Sequence, residues 1–272
     1  MSSRTAWAVL ALSLVGGCLD HTPLGPGADV VVVHAVLNPT ASVQHVDVRH
    51  SSRDITGGIP LHGATVTLTA PDGTVRVASE VASDGSNYDA RYDIATGMLT
   101  AEQPYHLRVV TADGTIAEGD ATVPATPPLQ TMAERRFDRT TDTLRLTWPR
   151  TNGVKAYEVR ISMPFDSSGL PVADTVARPV FDWNVLVAYV DTSVAIPGTA
   201  RQKDLSVFQP GLRYDVIVSA VDDHYYDYFS HQSDPYTPTA LPSSLRGGVG
   251  VFGAIVPILR QTIVVNGSPP GR

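Results

Sequence analysis

A chain of 272 residues allows one or two ordinary domains with a well-filled core. It carries 20 Lys and Arg against 27 Asp and Glu, a formal charge of −7, and net acidity argues against a nucleic-acid partner, which requires a clustered basic face. Hydrophobic residues at 43% against charged residues at 17% exclude a disordered polyelectrolyte, while 22 Gly and 21 Pro exclude an architecture of long helices.

The first 18 residues bear on compartment. Arg4 supplies a positive start, Ala6 to Val15 is an apolar run, and Gly16-Gly17-Cys18 follows. That run is shorter than the ~20 residues a membrane-spanning helix needs and has the length of a signal-peptide core. Leu14-Val15-Gly16-Gly17-Cys18 resembles a bacterial lipobox, in which the cysteine is acylated and becomes the new N-terminus after cleavage. Cys18 is the single cysteine of the chain, and a lone free thiol in an exported protein would otherwise be a liability. The expectation is a signal peptide over 1–17, then an acylated Cys18 with a Gly/Pro-rich tether over 18–28. Two or more acyl chains give a stable membrane anchor, so the rest of the chain need not insert.

From Asp29 onward the pattern is that of strands. Val30–Val33 with Ala35-Val36-Leu37 is nearly continuous and β-branched, as for a strand buried on both faces, whereas Gln44–His50 and Ala64–Thr69 alternate. Pro71-Asp72-Gly73 and Asp113-Gly114 are turn signals, and Tyr105–Val110 reads as another strand. Pro124, Pro127 and Pro128 interrupt the pattern, giving an N-terminal β-sandwich over 29–124 and a linker over 125–132. Pro60–Leu68, the Asp72-Gly73-Thr74 turn and Tyr105-x-Leu107-x-Val109 resemble the transthyretin-like, carboxypeptidase-regulatory type of small sandwich.

The second half places Leu144, Leu146 and Trp148 on one strand face, Tyr157, Val159 and Ile161 on another, and Tyr214, Val216, Val218 and Ala220 on a third. This order resembles a fibronectin type III sandwich, where the last of these tyrosines makes the tyrosine corner. We assign 133–265 to it, including a C-terminal segment, and 266–272 to a tail. Phe181–Val190 favours strand over helix by its β-branched content. The fold expected is therefore all-β: two tandem Ig-like and transthyretin-like sandwiches behind a lipoprotein signal peptide.

Val221-Asp222-Asp223-His224-Tyr225-Tyr226-Asp227-Tyr228-Phe229 is followed by Pro242 and by Gly247-Gly248-Val249-Gly250-Val251-Phe252-Gly253-Ala254. With the lipobox and the Gly63-Ala64-x-Val66 strand, these segments resemble the bacterial lipoprotein family known as domain of unknown function 4249; Arg246 stands where Asn or Glu is expected. The resemblance implies a surface- or periplasm-facing lipoprotein, often associated with TonB-dependent outer-membrane receptors. Leu19 in place of Asp after the cysteine points to the outer membrane. It implies no catalytic residues.

Gly248 to Gly253 matches GxGxxG literally, but a dinucleotide site needs a following helix, and Pro257, Pro269 and Pro270 follow instead. These glycines read as points of close backbone approach on a final strand. The best candidate binding residues are Tyr225, Tyr226, Tyr228, Phe229 and Tyr236, a dense aromatic group expected near a sandwich-end loop. The competing reading is that these rings are packing between the sandwiches. Asp222, Asp223, His224, Asp227, His231 and Asp234 lack calcium-loop spacing and read as a solvated acidic loop. His45 and Asp47 share a strand face that His50 leaves, so they make no three-ligand metal site. GxSxG, HExxH and a reactive cysteine are absent from the sequence. No cofactor and no enzymatic role are expected. The expectation is a membrane-anchored binding or accessory module serving a TonB-dependent uptake receptor, the alternative being a structural or adhesive envelope protein.

Overall fold

The computed structural model describes residues 30–51, 59–81, 90–164, 179–188, 190–202, 205–231 and 243–267. Cys18 and the tether lie outside them, as do Asp234 and Tyr236. Among the described residues the protein is mostly β, with one short helix.

The first half supplies β1 (Val31–Leu37), β2 (Val43–His50), β3 (Ile59–Pro60), β4 (Thr65–Thr69), β5 (Val75–Val77), β6 (Ser79–Val81), β7 (Ala90–Ala95), β8 (Pro104–Val110) and β9 (Ile116–Thr122). The second supplies β10 (Gln130–Phe137), β11 (Thr143–Thr147), β12 (Ala156–Pro164), β13 (Pro179–Ala188), β14 (Ser193–Pro197), β15 (Arg201–Gln202), β16 (Leu205–Ser206) and β17 (Arg213–Val221). Then come α1 (Asp223–His231) and β18 (Val249–Val265). The strand over 179–188 agrees with its β-branched composition.

Turn chemistry behaves as the sequence requires. Gly73 and Gly114 take φ of 82° and 87°, conformations that a side chain would strain, and Asp72 and Asp113 each accept a hydrogen bond from the backbone N–H two residues on.

Three tyrosines repeat one device. The hydroxyls of Tyr105, Tyr157 and Tyr214 each accept a backbone N–H from a few residues upstream, Thr100, Thr151 and Gln209 respectively, all at 2.7 Å. A buried phenol needs a partner for its oxygen, and the corner supplies it while pinning the loop before the strand. Burial pushes the Tyr214 hydroxyl up to about 12, so it stays neutral at any ordinary pH. Trp148 lies edge-on to Tyr157 at 5.3 Å between ring centroids.

A ten-stranded sheet runs through both halves in the order β13-β12-β17-β18-β1-β2-β7-β6, with β10 on β18 and β3 on β2. A four-stranded sheet, β5-β4-β8-β9, belongs to the first half, and the β11-β14 pair to the second. Side chains from all three form one core cluster, including Val33, Val48, Leu68, Leu107, Leu144, Tyr157, Val216 and Phe252.

The last strand is shared between the halves. Residues 249–254 of β18 pair in parallel with β1, while 255–264 pair antiparallel with β17 and 259–265 pair in parallel with β10. The glycines make this join possible. A Cβ at Gly250, whose φ is +119°, would stand 2.0 Å from the Val33 carbonyl oxygen, and one at Gly247 would stand 2.1 Å from that of Ile116. The reading of the glycines as close-approach residues thus has its physical cause: at these two points the backbone comes so near the Val33 and Ile116 carbonyls that a side chain has no room. Arg246 completes the seam, exchanging two backbone hydrogen bonds with Glu118 (2.8 and 3.0 Å) and meeting its carboxylate at 3.2 Å.

β1 differs from the expectation of burial on both faces. Val31, Val33, Ala35 and Leu37 are buried, but Val32, His34 and Val36 are only half-buried. That outer face is roofed in part by α1.

Candidate functional site

The aromatic segment forms the helix, not a loop. Asp222 precedes α1 as its N-cap: its Oδ1 accepts the Tyr225 N–H at 2.9 Å and its carbonyl accepts the Tyr226 N–H at 3.1 Å. The acidic residue in the first turn and His231 in the last both complement the helix dipole. Gly253 lets the helix come down on the sheet, since a Cβ there would lie 2.9 Å from both Asp222 Oδ1 and Tyr225 N. His224 Nδ1 meets the Phe252 carbonyl at 3.1 Å, which ties the same turn to β18.

The helix turns one face inward. Tyr225 is buried with Ala156 and Val221, and Val36, Tyr226, Phe229 and Ile255 close around them. Tyr225 stacks tilted on Phe229 at 4.3 Å, and its hydroxyl donates to Glu158 Oε1 at 2.5 Å. Glu158 is 3% exposed, so this hydrogen bond is part of what makes its burial tolerable. Phe229 and Tyr228 stand 6.0 and 6.2 Å from the ring of His34 on β1. Tyr226 lies under the Lys155 ammonium at 6.0 Å.

The five candidate aromatics therefore part company. Tyr225 is a packing residue and Phe229 half-buried beside it, Tyr226 and Tyr228 keep partly open faces on the helix, and Tyr236 lies outside the described residues. The acidic residues and histidines of the segment divide as well. Asp223 and His231 are exposed, as a solvated segment requires, but Asp222 is buried, and desolvation pushes its carboxyl up to about 6. Hydrogen bonds from the Tyr225 and Ala254 N–H groups and the nearby His224 work against that rise, and Asp223 adds to it. The expectation of a solvated acidic loop fails at Asp222 because capping a helix pressed onto a glycine leaves its carboxylate no water.

Two residues that sequence reading passed over complete the arrangement. Glu158 sits on the strand face opposite Tyr157, Val159 and Ile161, and α1 covers it. His34 interrupts an aliphatic run without any motif around it. Neither carries a local signal, because both acquire their partners from residues far along the chain.

Elsewhere, His45 Nδ1 meets Asp93 Oδ1 at 2.7 Å, with Arg91 on the same carboxylate at 2.8 Å. Among the described residues no group of three or more His, Cys, Asp or Glu is placed to hold a metal ion. No described helix is long and apolar enough to cross a membrane.

Residues 21–257 match the family model described as Domain of unknown function (DUF4249). The chain belongs to this family. Among curated proteins, none matches it. Of solved structures, it is similar to the FN1–FN3 domains of chicken CNTN1 at 15% identity, covering 89% of this chain and 68% of that one with a TM-score of 0.28. The BSP domain of a biofilm associated protein is similar at 12% identity over 89% of this chain and 30% of that one, with a TM-score of 0.23. SGBP-B of the Bacteroides ovatus mixed-linkage glucan utilization locus, solved with a heptasaccharide, is similar at 10% identity over 88% and 60%, with a TM-score of 0.19. These TM-scores are too low for any argument about this chain's ligand or partner.

Proposed function

We propose that this DUF4249 protein is a non-catalytic module of the cell envelope, anchored in the outer membrane through acylated Cys18 and serving as an accessory to a TonB-dependent uptake receptor. Its first half is read as a transthyretin-like sandwich and its second as a fibronectin type III-like one, the latter supported by the Tyr214 corner and by Trp148 against Tyr157. The observation that carries the anchored reading is the position of β1. The strand that follows the tether is clamped inside the large sheet, between β18 and β2. A lipid graft at Cys18 would thereby hold the body of the protein by its middle, and the twelve residues between Cys18 and Val31 reach about 40 Å when extended.

The partly open Tyr226 and Tyr228, on a helix fixed by Asp222 and Gly253, form the candidate contact surface. Rigid aromatic side chains lose little conformational entropy on binding. A structural or adhesive envelope role is the second reading, favoured by the sheet that passes unbroken through both halves.

Membrane fractionation of Cys18→Ser, with labelled palmitate, tests the anchor: the variant is expected in the soluble fraction and unlabelled. An equally membrane-bound, identically processed product would end the proposal. Affinity capture under mild detergent is expected to recover a TonB-dependent barrel; its absence together with intact anchoring favours the structural reading.

A further inference from the structure

The exposed edge at β5 offers features of a second kind. Ala70 N–H bonds to the Thr74 carbonyl at 2.8 Å, and Ala78 N–H to that of Val66 at 2.9 Å, while Arg76 stands opposite Leu68 in the β4–β5 register. In an antiparallel ladder the bonded pairs alternate, so Thr74, Arg76 and Ala78 bond inward to β4. The N–H and C=O groups of Val75 and Val77 consequently point away from the sheet, and among the described strands β5 has no neighbour on that side. Both side chains are open as well, at 57% and 66% exposure. Natural edges are usually guarded by short length, charge, proline or a covering loop; β5 is short and carries Arg76, yet its two valines stand open to solvent.

Arg76 projects to the other face of β5. There it lines a depression of about 290 Å³ with Leu68, Met98, Leu99 and Tyr105, in which Met98 is 89% exposed. The guanidinium donates one hydrogen bond, to the Ala95 carbonyl at 3.3 Å. Asp72 shares the rim, but its carboxylate is engaged by the Thr74 N–H at 2.9 Å and the Thr74 hydroxyl.

We infer that the β5 edge accepts an extended segment of a partner polypeptide, hydrogen-bonded to Val75 and Val77 and carrying an acidic side chain beside Arg76 over the depression. Strand addition of this kind takes its affinity from main-chain bonds and its selectivity from pockets for alternate side chains. The residue opposite Arg76 falls in a pair that exchanges no hydrogen bonds, where side chains approach most closely, and it lies on the same face as Arg76. Its neighbours fall on the valine face and are best aliphatic. A second copy of this chain is a poor occupant: the two-fold antiparallel register that uses both valines sets Arg76 against Arg76 of the copy. The inference stands on the edge itself and is independent of the anchor at Cys18.

The full chain is titrated with a nine-residue synthetic peptide alternating valine and threonine, with glutamate at the central threonine position, and with its lysine counterpart; amide exchange at Val75 and Val77 is read by NMR. The glutamate peptide should bind and slow exchange at these two amides, and the lysine peptide should bind about three-fold more weakly or less well still. Arg76→Glu should reverse the preference. Val77→Pro removes only an outward N–H, so it should weaken binding by about ten-fold or more with an unchanged melting temperature. Should that variant fold poorly, a peptide N-methylated at the residues facing Val75 and Val77 makes the same test on the unaltered protein. No protection with either peptide, or equal binding by the blocked forms, overturns the inference. A concentration-dependent dimer in sedimentation that Val77→Pro dissolves also overturns it, assigning the edge to a second copy. None of these outcomes bears on whether Cys18→Ser releases the protein from membranes.

Discussion

Helix α1 and the β5 edge, the two described regions proposed to meet a partner, are built in opposite ways. α1 concentrates aromatic mass and spends much of it inward: Tyr225 is buried, Phe229 leans on it, and Glu158 and Asp222 are drawn out of water with them. β5 is three residues long and aromatic-free, yet it leaves both backbone and side chains of two valines in solvent. Residue type alone therefore misleads about which surface is available. Bulk that can be buried tends to be buried, and the groups left over at an edge are those that topology could not pair.

If the helix is a structural rivet above the seam, damage to the seam should exceed any damage to the edge. Gly250→Val adds a Cβ 2.0 Å from the Val33 carbonyl oxygen at a φ of +119°. Loss of about 4 kcal/mol or more, or failure to fold, is expected in denaturant titration, because backbone strain and a main-chain clash coincide. Next in size comes Tyr225→Ala, which should cost about 3–5 kcal/mol as a large-to-small change in a filled site. Tyr225→Phe keeps the ring and leaves Glu158 without that hydroxyl, at about 1–3 kcal/mol. A Tyr225→Ala variant with an unchanged melting temperature would break the comparison.

The buried cap gives a pH signature. Folding raises the Asp222 carboxyl from 3.8 to about 6, so the native state holds its proton more tightly than the unfolded chain does. Its contribution to stability is greatest below about pH 4, declines as pH rises towards 6, and is constant above that. The ionised form at neutral pH is thus penalised by something on the order of 3 kcal/mol. Asp222→Asn keeps an acceptor for the Tyr225 N–H and loses the charge. Its unfolding free energy should lack this decline between pH 4 and 6, and at pH 7.5 it should equal or exceed that of the native sequence. A variant that retains the full pH slope would show that another group carries it.

Much of the fold could be read from the chain because its determinants are local. Alternation at Gln44–His50 and Thr65–Thr69, the Asp-Gly turns and the tyrosines at 157 and 214 each act within a few residues of themselves. The shared use of β18 could not be read, since it depends on Val249–Ala254 meeting β1 more than 200 residues earlier. The glycines did announce a close approach without naming what approaches. The helix escaped notice because Asp222 to Phe229 is rich in aromatics and short of strong helix formers; packing on Gly253, not propensity, makes it helical. Glu158 and His34 were hidden for the same reason, each needing a partner from the far end of the sequence.

The smallest effects belong to the open groups. Tyr228→Ala should cost about 1 kcal/mol, and Val75→Thr or Val77→Thr should stay within about 0.5 kcal/mol by thermal melting, as expected for solvent-facing positions.

Amide hydrogen exchange on the intact protein compares the two regions in a single experiment. The account predicts that Val75 and Val77 exchange almost as freely as an unfolded chain, while Val251, Phe252 and Ala254 exchange only through global unfolding. Protected valines at 75 and 77, or a β18 that opens under native conditions, would contradict the division of this molecule into a riveted seam and an open edge.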